Sequence, residues 1–314
     1  MNIKKTLKTI LPLALGGFLV WYSLSEISLE TLGKYFKEAH YGWIFLGLFF
    51  GILSHLSRAY RWKFMLEPLG FKPKFTNSVL AVLIGYLVNL ALPRAGEISR
   101  ATVMANYEEI PFEKGFGTIV AERIADLIMM LSIVAITLFV QFDFIYELLT
   151  KNFDPTKIIM GFVLLIAVFF IFRFYVQKAT SGILLKIKTF IAGLIEGVTS
   201  IFKMKNKWAF IFHTVFIWAM YVAMFWATVP AIEGLKVPVG GILIAFIAGG
   251  FSIAATNGGV GLYPVAVAGA LALFKIETEP ATAFGWIMWT AQTAMIVVFG
   301  GLAFLMLPIY NKVK

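Results

Sequence analysis

The sequence predicts an all-α polytopic membrane protein. It is expected to have about six full spans plus two re-entrant helical hairpins, arranged as an inverted repeat with both termini inside. Three observations lead there. Of the 314 residues, 60% are hydrophobic and only 14% charged, whereas a soluble domain carries roughly 25% charged residues. The apolar residues fall into eight continuous blocks, most of them near the ~20 residues that a helical span needs. Two of those blocks are interrupted by proline, glycine and polar residues.

The blocks occupy about 8–24, 43–65, 76–92, 116–141, 158–177, 208–229, 239–256 with 262–274, and 282–308. They are rich in Leu, Ile, Phe and Ala without strict alternation, so they read as helices rather than barrel strands. The first block follows "MNIKK" and has the look of a secretory signal. It lacks a small-x-small cleavage site and other spans follow, so it is expected to be retained. Polar connections such as "FDPTK" and "EGLKVP" are short. The chain is therefore expected to form one transmembrane domain over 1–314.

The segment 76–104 contains "NLALPRAGEISRA", and 239–274 contains "AATNGGVGLYPVAVAG". In each, a modest apolar run follows the break, too short for a comfortable span. A hairpin that enters and leaves on one side fits both, provided protein or water covers the broken backbone. Charge supports this arrangement. With the N-terminus inside and both broken blocks re-entrant, 27 Lys and Arg divide unevenly. All but Lys34, Lys37, Lys151, Lys157, Lys236 and Lys275 lie at the inner side, as the positive-inside rule requires. If each broken block crossed once, Lys178 to Lys207 would face outward.

The order span, span, hairpin, span then occurs twice, in 1–145 and 150–310. Second spans begin near 43 and 208, breaks fall near 94 and 257, and the following spans begin near 116 and 282. Three crossings per half invert the second half relative to the first. Inverted repeats with broken helices meeting at mid-membrane are a transporter design.

Charge concentrates at the first break. Pro93 resists a continuing helix, and Gly96 permits close backbone approach. Arg94, Glu97 and Arg100 follow at three-residue spacing, which on a helix shares a face. They read either as an anion site lining a cavity or as arginines snorkelling to lipid phosphates. In "VAERIADLIMM", Glu122 and Asp126 flank Arg123 inside an apolar run. Buried charges there pair or line water paths, so Glu122 or Asp126 is expected to pair with Arg94 or Arg100. In "LSHLSRAYRWKF", Arg58 is the deeper arginine and a cavity candidate. Arg61 lies three residues on, Trp62 reads as an interfacial anchor, and His55 reads as a packing or hydrogen-bonding residue.

The second break is almost chargeless. Asn257, Gly258, Gly259, Gly261 and Tyr263 offer tight crossing or backbone N–H groups turned to a ligand. Segment 183–205 interleaves apolar residues and lysines, and reads as an interfacial helix on an anionic membrane surface. Several classes are excluded. There is no cysteine, so no disulfide framework or thiol site exists. His40, His55 and His213 are too far apart in sequence for a metal motif. No GxxxxGK[ST] loop supports ATP binding. The net charge of +10 reflects the inner loops, not nucleic acid. No cofactor or metal is expected.

"PRAGEISRA", "ERIADL" and "NGGVGLYP" together resemble the lysylphosphatidylglycerol synthase/flippase transmembrane-domain family, over about residues 8–308. That family's P-x-R-x-G-E appears one residue tighter, as Pro93, Arg94, Ala95, Gly96 and Glu97, with Arg100 after it. Its E-R-x-x-D matches Glu122, Arg123 and Asp126. Its P-G-G-x-G appears with Asn257 in place of proline, then Gly258, Gly259 and Gly261. Tyr263 and Pro264 stand where a glutamate often follows. The resemblance implies lipid translocation. The partner would be a phospholipid or polyprenyl-phosphate-type lipid in a plasma or inner membrane, and a homo-oligomer is compatible with it. The soluble aminoacyl-transferase domain of the best-known members is not found in these residues, so a synthase is not expected. The alternatives are an intramembrane enzyme using Glu97, Glu122 or Asp126 as acid or base, and a small-solute or ion transporter. Replacing Arg94 or Glu122 by alanine is expected to abolish transport in a folded protein.

Overall fold

The structure, a computed structural model, describes residues 17–92, 94–152, 154–189, 191–192, 204–256 and 258–312. Within them every regular element is helical: α1 (17–25), α2 (Leu29–Glu38), α3 (Tyr41–Leu66), α4 (Phe75–Ala91), α5 (Ala95–Glu108), α6 (Phe112–Val140), α7 (Phe142–Asn152), α8 (Pro155–Lys178), α9 (Gly182–Thr189), α10 (Lys207–Thr228), α11 (Val239–Ala255), α12 (Leu262–Ala272) and α13 (Thr278–Tyr310). Helices satisfy their own backbone groups, which the hydrocarbon of a bilayer demands. Four are long and apolar enough to cross: Tyr41–Leu69, Phe112–Val140, Lys207–Ala231 and Thr278–Tyr310. The pair Ile166–Lys178 and Gly182–Thr189, bent by 94°, makes a fifth if counted as one span. The chain is an all-α, multi-pass membrane protein, with four to five such spans among the described residues, where six were expected. The sixth expected span, 8–24, lies in part outside the described residues.

Two compact units appear, one of Met1–Glu122 with Trp208–Lys314 and one of Arg123–Lys207. In the second unit, Asp154 caps α8 by accepting from the Thr156 N–H at 2.7 Å, and Pro155 occupies the first turn, where its missing N–H costs nothing. Two short helices went unanticipated. In α2, Ser28 caps the start by accepting from Thr31 at 3.0 Å, and Leu32 is its buried residue. In α7, polar and apolar residues mix, and no long apolar run announces it. Of the segment 183–205, expected to be an interfacial helix, 183–189 is helical within α9 and 191–192 are helical, while 190 and 193–203 lie outside the described residues.

Both broken blocks of the first unit are helix–turn–helix pairs. In the first, α4 ends at Ala91 and Arg94 turns the chain in the left-handed region at φ 61°. The two helices then run antiparallel at very short range. A Cβ on Gly96 would lie 2.0 Å from the Gly85 carbonyl oxygen, and one on Gly85 would lie 2.6 Å from Arg100 Cγ. Such contact is open only to residues without side chains. Asn89 stitches the top by accepting from the Gly96 N–H at 2.8 Å. In the second pair, α11 turns into α12 through Gly258, Gly259 and Gly261, with φ of 63°, 81° and 69°. Glycine is the residue that adopts these values without strain. Trp289 of α13 donates to the Gly258 carbonyl at 2.7 Å.

The two turns meet. A Cβ on Gly258 would lie 2.9 Å from Leu90 Cδ2, at the end of α4. Helix α13 packs against both pairs, with Gly300 against Leu83 and Leu87 and Gly285 against the backbone of Pro264. An apolar core built on Ile44, Phe225, Ile242, Leu271, Phe284 and Ile287 joins the second pair to α2, α3, α10 and α13.

Candidate functional site

The C-terminal half of α3 buries an unusual set of side chains: Ser54, His55, Ser57, Arg58, Arg61 and Trp62. Arg58 and Arg61, three apart, share a helix face. Arg100 projects from α5 just beyond the Gly85–Gly96 contact, and Glu122 from α6. These four residues converge, and Glu122 is fully buried at 0% exposure. Arg58 Nη1 donates to Glu122 Oε1. Arg61 Nη2 lies 3.3 Å from the same oxygen. Arg100 binds bidentately, Nη1 to Oε1 and Nη2 to Oε2, each at 3.2 Å.

The surroundings hold the arginines in place. The Arg100 guanidinium lies 4.3 Å over the Trp62 ring, and the Trp62 indole donates to Thr118 Oγ1 at 2.8 Å. Arg61 sits 5.3 Å from the Phe210 ring and donates to Thr214 Oγ1 at 2.9 Å. Guanidinium forks match carboxylate and phosphate oxygens bidentately. The cluster is therefore a structural knot built from groups whose chemistry suits anionic oxygens.

Two expectations change here. The pairing of Glu122 with Arg100 is present. Arg94 takes no part: it is exposed, has no ion pair among the described residues, and belongs to the turn rather than to α5. Because its backbone is left-handed, Arg94 drops out of the helical register that would have aligned it with Glu97 and Arg100. Glu97 is half-buried, with Asn89 Nδ2 3.4 Å from its Oε2. Trp62 is completely buried beneath Arg100 and is not an interfacial anchor. Arg61 and Trp62 were readable in the α3 sequence, since both fall on faces adjoining Arg58. Thr118 and Thr214 carried no sequence signal.

Arg123 and Asp126 belong to the second unit, where Arg123 Nη1 lies 3.9 Å from Asp126 Oδ2. Gly258, Gly259 and Gly261 form the second turn. Tyr263 is buried, with its ring against Gly249. Pro93 and Asn257 lie outside the described residues. Among the described residues no group of three His, Asp or Glu could hold a metal.

The Lysylphosphatidylglycerol synthase TM region family model matches residues 9–301. UPF0104 membrane protein MJ1595 of Methanocaldococcus jannaschii is 32% identical over 134 residues, covering 42% of this chain and 40% of that protein. Glycosyltransferase AglD of Haloferax volcanii is 31% identical over 88 residues, 28% of this chain and 14% of that protein. The matches thus span less than half of either relative. No solved structure matches. With nearly its whole length matched, the chain belongs to the family of the lysylphosphatidylglycerol synthase transmembrane region.

Proposed function

We propose that the protein moves a lipid between bilayer leaflets, as a flippase or transporter for a phospholipid or a polyprenyl-phosphate-type lipid. One observation carries this reading: two helix–turn–helix pairs meet at their turns, Gly258 against Leu90. Broken helices that meet within the membrane are the device by which transporters build a site at mid-depth. In this reading both pairs are re-entrant hairpins and 1–145 and 150–310 are inverted repeats. The twofold order of long helix, 17-residue helix, shorter helix and long helix in α3–α6 and α10–α13 supports it. Arg94 at the first turn attracts the anionic head group, and the arginines around Glu122 extend the positive path. The glycine turn lets the head group pass.

The test is leaflet exchange in liposomes by the purified protein, with labelled anionic, zwitterionic, aminoacylated and polyprenyl-phosphate lipids. Selective exchange that falls at least tenfold in Arg94→Ala, with unchanged thermal stability, is the expected result. An Arg94→Ala rate equal to wild type removes Arg94 from the path. No exchange of any lipid, in vesicles where a known scramblase works, rejects the reading.

A further inference from the structure

Lipid movement against a gradient needs a driving force, and α3 holds a group suited to supply one. His55 lies one helical turn from Arg58. It is 6% exposed, and its Nδ1 is buried without a hydrogen-bond partner among the described residues. Its ring is 4.4 Å from that of Tyr86 on α4 and 6.3 Å from that of Tyr221 on α10. The two tyrosine hydroxyls are 3.1 Å apart. Beside them Trp218, 6.0 Å from Tyr221, has a buried indole N–H that also lacks a partner among the described residues. Buried polar atoms are otherwise almost always satisfied, by protein or by ordered water. An ionisable side chain inside a span marks an ion or proton route by default. Histidine is the one side chain whose ordinary titration falls in the physiological range.

We propose that His55 carries the proton that couples lipid movement to a proton gradient. This rests on the transport reading above. The coupling is electrostatic. Like charges one turn apart repel strongly in a dry interior, so the Arg58 guanidinium opposes a proton on the ring. An anionic head group arriving at the arginines attracts that proton and offsets the repulsion. Proton and anion then favour each other's binding, and by linkage the effect is reciprocal. The proton joins a ring nitrogen as the anion arrives and leaves as it departs, so only an N–H bond forms and breaks.

Among the described residues, the titratable and charged groups seen to face His55 are Arg58 on its own helix, Tyr86 on α4 and Tyr221 on α10. Helix α13 reaches α3 through Met295 at Gly51 and carries no ionisable side chain from Pro280 to Ile309. The other imidazole of the α3–α10 seam, His213, is engaged through its Nδ1 with Ser57 Oγ at 2.8 Å.

The experiment places the purified protein in phosphatidylcholine liposomes with labelled phosphatidylglycerol as the probe, under a gradient of one pH unit. One proton per lipid biases the steady-state leaflet ratio about tenfold. His55→Gln keeps a polar side chain that takes no proton in this range. It is expected to exchange the probe within about threefold of the wild-type rate and to lose the bias. His55→Asn repeats the test with a smaller side chain. A wild-type ratio that ignores the gradient overturns the proposal. So does a bias that persists in both variants. Folded variants that exchange no lipid also overturn it, because a coupling residue leaves downhill exchange intact. Absence of exchange by the wild type at every pH removes the transport reading itself, and this inference with it.

Discussion

Glu122 has two carboxylate oxygens, and three guanidiniums from α3 and α5 converge on them. Taking any of these ions out of water costs several kcal/mol, which only the mutual pairing offsets. Glu122→Ala leaves three buried arginines without that carboxylate, and breaking a buried pair in this way costs about 3–5 kcal/mol. The expected outcome is a large drop in thermal stability in detergent, measured by intrinsic fluorescence, and not a folded protein that has merely lost transport. Arg94 behaves oppositely. Its left-handed backbone carries strain of order 1 kcal/mol that glycine relieves. Arg94→Gly should match or exceed wild-type thermal stability while losing exchange. A destabilised Arg94→Gly would mean that this arginine is a latch, like Glu122.

Helices α4 and α5 depend on how closely their backbones approach. A methyl at Gly96 would overlap the Gly85 carbonyl, a neighbour that cannot rotate away. Gly96→Ala therefore forces the pair apart and shifts Arg100 from Glu122, with an expected cost above about 2 kcal/mol as overpacking and ion-pair loss combine. Gly117, on α6, has nothing within 4 Å of its would-be Cβ. Gly117→Ala should be neutral or stabilising by up to about 1 kcal/mol through the lower entropy of the unfolded chain. Melting temperatures of the two variants, read side by side, check both statements. Equal effects would show that the close contact does not govern the pair.

At the scale of the whole molecule, the proposed topology fixes which loops are reachable from each side. Because the chain contains no cysteine, single cysteines report cleanly. Lys34→Cys and Lys236→Cys should react with a membrane-impermeant maleimide added to intact cells. Lys72→Cys and Lys312→Cys should react only after permeabilisation. Labelling of Lys114→Cys from outside, with Lys72→Cys still protected, would mean that the first broken block crosses the membrane, and the inverted-repeat arrangement would fall with it.

Sequence alone suffices for the membrane class, the helical character of the blocks and the position of both breaks. These follow from local facts: continuous apolar runs must be helices in lipid, and proline or clustered glycine must interrupt them. It also singled out Arg58, Arg100 and Glu122, because charges inside apolar runs are costly wherever they occur. Which charges meet follows from how the helices pack. A left-handed residue at Arg94 removed one arginine from the cluster, and Arg61 entered it from the same face as Arg58. Trp62 became a platform for Arg100 instead of an anchor in the interface. The contact of the two turns, Gly258 with Leu90, joins residues far apart in the chain. Such encounters depend on how helices pack and how deeply a face is covered, which no short stretch of sequence encodes.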